Sequence, residues 1–422
     1  MRRRIAHYAG LIAHTGMSSV VSAGSVLRHR PFALLWSGQV ISRIGDNIHT
    51  VALVAWVLHE TGSQRAMGLV LLCTTLPMVA LLLAGGVAGD RWPRIAVMYW
   101  SDVVRGLVGL SLGVLAGTGN LELWMVYVAG IAFGIAQAFF QPAYVAVVPQ
   151  VTPKALLQQA NSLTSLSIQL ASIFGLVLGG GLIALGGADL GFFVNGLSFM
   201  ASGATLLGLR WTRVRRGPDA RQSPLADVRE GLAAVWRSPW LWFTIMLAGV
   251  ANVTLAGPMR VTVPFLLGEE RNQGDWAYGL LLACGAAGAM AMAIAVLAGL
   301  RLRRRGVLAY CAWMMNGLML LIFASSLPLG FLLLAALAGG ACLTLFELVW
   351  VGTLQEMVPG DMLGRVASVD YVFSFGLLPL GLMAVGVLGE AIGPRDLLTI
   401  CGLLTMLIPT LGLLHPAIRR LD

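Results

Sequence analysis

Gly85-Gly86-Val87-Ala88-Gly89-Asp90-Arg91-Trp92-Pro93-Arg94 is the stretch on which the reading of this chain turns. A long apolar run from Met67 delivers it, and another begins at Ile95. Its small residues, with Ala84 before them, let a neighbouring helix approach closely. An acid and two arginines follow at once, and Pro93 prevents simple continuation of the helix. The stretch therefore reads as a charged turn between two runs of membrane length.

Composition extends that reading to the whole chain. Of 422 residues, 58% are hydrophobic and 11% charged, and mean hydropathy is +0.82. A soluble domain carries about 25% charged residues. Backbone exposed to lipid must be helical or closed into a barrel. The apolar runs are continuous over about 20 residues rather than alternating in short segments, so helices are expected. The formal charge of +9 does not indicate a nucleic-acid partner, because the arginines sit in short loops between apolar runs, where membrane orientation accounts for them. Lys154 is the single lysine. Cys73, Cys284, Cys311, Cys342 and Cys401 all lie within apolar runs without metal-ligand spacing, and read as packing residues.

Arg2-Arg3-Arg4 followed by Ile5 to Ile12 imitates a signal peptide. The apolar part is short, His7 and Tyr8 interrupt it, and no convincing cleavage site follows. A cytoplasmic tail over 1–31 is expected, with Met17 as an alternative start. Twelve helices are then expected near 32–58, 66–89, 95–117, 122–148, 157–187, 190–211, 240–267, 276–300, 306–326, 328–357, 366–391 and 396–415. The first six form one half (32–211) and the last six another (240–415). Between them runs the longest polar stretch, 212–239, rich in arginine and read as a cytoplasmic linker whose Asp227-to-Trp236 part suits a surface helix. Residues 416–422 form a second cytoplasmic tail.

The distribution of bases supports an even number of spans. With both termini inside, about 22 bases lie inside and about 3, Arg65, Arg271 and Arg395, outside. An internal repeat supports two halves. A slide of 206 residues, which sets Pro153 on Pro359, brings Gly134 to Gly340, Phe140 to Phe346 and Ser162 to Ser368. Parallel repeats of this kind place a binding site at their interface.

Several stretches together resemble a known family. These are the Gly-x-x-x-Asp-Arg-x-x-Arg turn from Gly86 to Arg94, the opening of helix one from Phe32 through Gly45-Asp46, Ser101-Asp102-x-x-Arg105 in helix three, and Ala160-Asn161-Ser162-Leu163. Leu354-Gln355-Glu356-x-Val358-Pro359, Leu363-Gly364-Arg365-Val366 and Leu378-Pro379-Leu380-Gly381 complete the set. Over about Phe32 to His415 the chain is similar to the major facilitator superfamily, in its drug- and siderophore-exporting branch. The resemblance implies an all-α membrane protein of twelve transmembrane helices in two pseudo-symmetric six-helix halves. It implies a gating role for Gly86, Asp90, Arg91 and Arg94, whose charges hold the halves together in that family. It also implies that helices one, four, seven and ten line a central cavity. Two departures bear on transport direction. Gly175-Leu176-Val177-Leu178-Gly179-Gly180 lacks the proline of the antiport motif, and helix four lacks the usual base.

Charge inside the runs locates the candidate chemistry, since an ionisable group in hydrocarbon is costly and faces a cavity or a partner. Asp46 lies about 21 Å along helix one from Phe32 at ~1.5 Å per residue, near mid-membrane. Arg43 and His49 stand three residues to either side and share its face. Asp46 is a candidate for taking up and releasing a proton as water access changes, with His49 as a second coupling candidate. The alternative is a permanent Arg43–Asp46 pair that only holds helices together, and a hydrogen-bonded packing role for His49. Glu347 is the second carboxylate, either coupling protons or paired structurally with Arg260. Under the repeat Asp46 falls on Asn252, and Glu347 on Gln141. Arg43, Gln141, Asn252 and Arg260 are therefore the candidate cavity residues beside the coupling set Asp46, Glu347 and His49.

No phosphate-binding Gly-x-x-x-x-Gly-Lys-Ser/Thr loop occurs, and no catalytic triad or metal constellation stands out, so the chain reads as no enzyme and needs no cofactor. The expected protein is a proton-coupled exporter of small amphipathic molecules in the inner (cytoplasmic) membrane, a monomer with protons, a small-molecule substrate and lipid as partners. An importer on the same scaffold and a non-transporting membrane scaffold are the alternatives. Trp36, Trp56, Phe139, Phe140, Tyr144, Phe346 and Trp350 offer aromatic surface to such a substrate, or to lipid.

Overall fold

A computed structural model describes residues 26–209, 232–274, 276–297, 300, 304–358 and 363–414. Every regular element among them is helical, as backbone in lipid requires. The chain order is α1 (Arg30–Thr61), α2 (Gln64–Arg91), α3 (Arg94–Gly117) and α4 (Leu123–Val151). The stretch Leu157–Leu207 is two helices, α5 and α6, broken at Gly187, whose φ of 79° and ψ of 178° suit a residue without Cβ. Then come α7 (Pro239–Phe265, prolonged by the π turn Leu266–Glu270), α8 (Trp276–Leu297), α9 (Arg305–Ala324) and α10 (Leu329–Met357). Last are α11, in two segments (Leu363–Phe375 and Leu378–Ile392), and α12 (Pro394–Leu414).

Ten segments among the described residues are long and apolar enough to cross a membrane. One of these is the broken α5–α6 pair, and the more polar α1 completes twelve helices. Pro93 caps α3 at φ −56°, so the charged turn of the opening stretch does interrupt the helix there. The side chains of Gly86, Asp90 and Arg91 lie outside the described residues, as do both tails over 1–25 and 415–422, and 210–231 of the linker. Gly85 packs on α4, 3.1 Å from the Cα of Phe139 where a Cβ would sit. The end of the linker, 232–237, is helical and buries Val235 beside Leu241 and Ile245. One expectation changes: helix eleven is not continuous. Pro379 has no N–H to donate and its ring crowds the preceding turn, so the chain breaks at Gly376 and Leu377 and restarts.

Packing follows the repeat. α4 and α10 are each 29 residues long, and both their ends stand 206 apart. α4 packs on α2, with Gly134 against the Thr74 carbonyl. α10 packs on α8, with Gly340 against the Gly285 carbonyl. Between the first six and last six helices the contacts run through α2 with α11 and α5 with α8. These contacts are concentrated at the end of the bundle away from the chain termini, called here the far end. There one apolar core spans both halves, from Val51–Val57 and Met67 to Phe265, Tyr278, Leu382 and Leu398. Gln64 donates through Nε2 to the Gly389 carbonyl (3.3 Å), and Ser63 Oγ to Glu390 Oε1 (3.3 Å), across the same seam. At the tail end the buried clusters each belong to one half. The cluster around Leu35, Phe140 and Val147 lies in the first, and the one around Leu241, Leu354 and Val366 in the second.

Candidate functional site

Between the halves lies a cavity of about 1010 Å³. It is floored by the far-end core: Leu53, Val54, Met67, Val70 and Tyr278 belong to both. Its polar lining comes from helices of both halves. α1 supplies Asp46, Asn47, His49 and Thr50, α3 Arg105, α4 Gln137, and α5 Gln169 and Ser172. From the second half come Arg260 of α7, Tyr278 of α8 and Glu347 of α10. Asp46, Arg105 and Gln137 fall near the midpoints of their helices, which sets this polar belt at mid-depth.

Asp46 is half-buried. Its carboxylate has no hydrogen bond or ion pair among the described residues, and the Thr50 hydroxyl bonds only its backbone carbonyl (2.9 Å). The Arg43–Asp46 pair, the alternative to coupling, is therefore not formed. Arg43 does not line the cavity, and its Nε is buried without a hydrogen-bond partner. Spacing of i, i+3 sets two Cβ atoms near one another but leaves a long side chain free to turn away. His49 is stacked on Phe133 with ring centroids 5.0 Å apart and tilted on Phe192 at 5.3 Å, and its Nδ1 has no partner. Glu347 and Arg260 both face the cavity and are exposed, yet no ion pair joins them. The structural pairing with Arg260, the alternative to coupling for Glu347, is not formed.

The repeat-derived amides do not reach this space. Asn252 donates through Nδ2 to the Ser374 carbonyl of α11 (2.9 Å), and Gln141 is exposed; neither lines the cavity. The repeat equates backbone positions, and the neighbouring helix then decides where an amide finds its partner. Of the residues expected to gate, Arg94 donates through Nη1 to the Ala146 carbonyl of α4 (3.2 Å).

The most connected polar group at the site is one that sequence reasoning noted only as part of a motif. Arg105 pairs through Nη2 with Asp102 Oδ1 (2.6 Å), and both are buried. Its Nε donates to the Ser101 carbonyl (3.3 Å) and its Nη1 to Gln137 Oε1 (2.9 Å). The guanidinium lies over the Phe140 and Phe199 rings, 4.4 and 4.2 Å from their centroids. Asp102 Oδ2 accepts from Ser202 Oγ (2.7 Å), which accepts from Gln39 Nε2 (3.4 Å). This chain joins α1, α3, α4 and α6. Buried ions persist in lipid only when satisfied this fully. An acid and an arginine three apart inside an apolar run was the available signal.

The site is thus a cavity large enough for a small molecule, with a carboxylate from each half and the Arg260 guanidinium making no ion pair among the described residues, and with Phe133 and Tyr278 on its wall. A family model described as transmembrane secretion effector matches residues 21–422 of the chain. The multidrug efflux pump Tap of Mycolicibacterium fortuitum is 27% identical over 405 residues, covering 93% of this chain and 97% of the pump. The enterobactin exporter EntS of Salmonella typhimurium is 27% identical over 403 residues, covering 86% and 93%. Among solved structures, a POT family transporter crystallised with a thioalcohol-conjugated peptide superposes with a TM-score of 0.74 at 10% identity, covering 92% of this chain and 96% of that one.

Proposed function

Because the chain belongs to the transmembrane secretion effector family of the major facilitator superfamily, we propose that it couples proton entry to the export of small amphipathic molecules by alternating access. It is a multi-pass membrane transporter of the efflux branch, not an enzyme. Export is the direction named for Tap and EntS, and is taken over from them as part of the proposal.

The observation that carries coupling is the isolation of Asp46. Its carboxylate faces a cavity at mid-depth and makes no hydrogen bond or ion pair among the described residues. A group so placed can change charge when the water reaching it changes, whereas a paired one is held ionised. His49, one turn away against Phe133, is the second group of this kind. Closure of the far end by a core shared between the halves supports a cavity that opens alternately to either side. In this reading the tail end is cytoplasmic, following the base asymmetry, and the membrane is the inner one. Asp90, Arg91 and Arg94 after Gly86 form the tail-end gate. The protein works as a monomer in contact with lipid.

The test is flux in proteoliposomes. Wild-type protein should accumulate substrate against its gradient when a pH difference is imposed, and should exchange it at zero gradient. Asp46→Asn should retain exchange and lose accumulation. Full pH-driven accumulation by Asp46→Asn would refute the assignment. Labelling of a linker cysteine from outside intact cells would overturn the orientation. Wild-type turnover by Asp90→Ala at equal expression would remove the gate.

A further inference from the structure

Beside the main cavity lies a chamber of about 300 Å³ between α8, α9 and α10. Gln169, Leu282, Ala286, Leu343 and Glu347 line both spaces, so the chamber is a side compartment of the cavity. It exists because its walls carry little. Gly285 and Gly340 bring α8 and α10 into backbone contact, and the wall behind carries only the methyl groups of Ala289 and Ala336 and no side chain at Gly339. Met259 and Met319 reach in from α7 and α9. Their thioethers adapt to apolar groups of different shape.

Charge at this chamber is one-sided. Among the described residues that line it, Glu347 alone is ionisable, whereas Arg260 lines the main cavity only. The polar atoms on the wall are partly spent: Asn316 donates through Nδ2 to the Ala312 carbonyl (3.2 Å). The Glu347 carboxylate is exposed and has no ion pair or hydrogen bond among the described residues. A free carboxylate at the edge of an apolar recess complements an ammonium attached to an apolar body.

We infer that this chamber is a cargo subsite for cationic amphipaths: the apolar part seats between α8, α9 and α10, and Glu347 holds the amine. The inference rests on the efflux reading and divides its two carboxylates, Asp46 for the proton and Glu347 for the cargo.

The test uses purified full-length protein in nanodiscs of neutral phosphatidylcholine, with no gradient. Three probes of one shape and different charge are compared by equilibrium binding: naphthylethylamine, naphthylethanol and naphthylacetate. The amine should bind tightest and the acid weakest. Glu347→Gln, which keeps the shape, should weaken the amine about tenfold, to the level of the alcohol, and leave the alcohol unchanged. Ala289→Phe, which fills the chamber, should weaken amine and alcohol alike by about tenfold. Ala286→Leu is the second filling variant and should act in the same direction. Unchanged amine binding in Glu347→Gln would overturn the inference. So would unchanged binding of both probes in the filled variants, or a loss of amine preference in Asp46→Asn instead. Because no gradient is present, failure of proton coupling leaves this result standing. A wild type that drives flux with pH but prefers the acid probe fails here alone.

Discussion

The corner between α3 and α4 and its counterpart between α9 and α10 share a backbone plan and use it in opposite ways. In both, a glycine lets the neighbouring helix touch: Gly134 on Thr74 and Gly340 on Gly285. Gln137 stands where the second half has Leu343, at the 206-residue interval. In the first half the corner is filled by a satisfied network, with Gln137 accepting from Arg105 and Arg105 paired to Asp102 between two phenylalanine rings. In the second half the amide is gone and α9 brings Asn316 instead of a buried ion pair; what remains is an open chamber with Glu347 at its edge. One half is braced by its polar groups, and the other keeps room. Duplication sets where helices run, and single side chains decide whether a site is structure or space.

That contrast is sharpest in stability. Asp102→Leu strands Arg105 in the bundle and should cost about 3–5 kcal/mol. Thermal unfolding in detergent reads this, and adding Arg105→Leu should recover much of the loss. A single mutant as stable as wild type would mean that the brace contributes nothing. Transport separates the same halves next. Asp46→Asn should lower pH-driven accumulation about 100-fold, roughly 2.7 kcal/mol in rate terms, with the fold intact. A drop in melting temperature equal to that of Asp102→Leu would reassign Asp46 to the brace. The shared plan predicts equality where the side chains predict difference. Gly134→Ala and Gly340→Ala each press a methyl into a backbone carbonyl, and each should cost about 1–3 kcal/mol. Unequal losses would show that the two crossings are not equivalent. The smallest effect belongs to Asn252. Asn252→Ala removes one bond to Ser374, should cost about 1 kcal/mol, and should leave pH-driven flux unaltered. Impaired coupling in this variant would return Asn252 to the site.

Much of the fold is legible in the chain because lipid allows so few solutions. Apolar runs of membrane length, a proline in the Arg91–Arg94 turn and bases gathered in alternate loops leave little choice. The break in α11 is not legible, because Pro379 sits in an unbroken apolar run and helices here tolerate Pro77, Pro142, Pro258 and Pro409. At the site, Asp46, His49, Arg260 and Glu347 stand out as isolated ionisable groups in apolar surroundings. Gln137 and Gln169 do not, because an amide in such a run carries no charge signal. Arg105 is visible, but its partners on α4 and α6 belong to tertiary structure. The chamber is hardest to read, since it consists of side chains that are small or missing, and glycine in a membrane helix ordinarily means close packing.

The far-end core has an electrical consequence. Voltage across a membrane falls mainly through material of low dielectric constant. Where water fills the mid-depth cavity, most of that fall is concentrated in the apolar plug around Val51–Val57, Phe265 and Leu382. In the proposed cycle, a proton on Asp46 or an ammonium on Glu347 would gain little from the field while entering. It would cross the field when the plug re-forms on the other side, at about 2.3 kcal/mol per charge for each 100 mV. Under that cycle the voltage acts on the conformational step, and the net charge carried through that step sets how strongly.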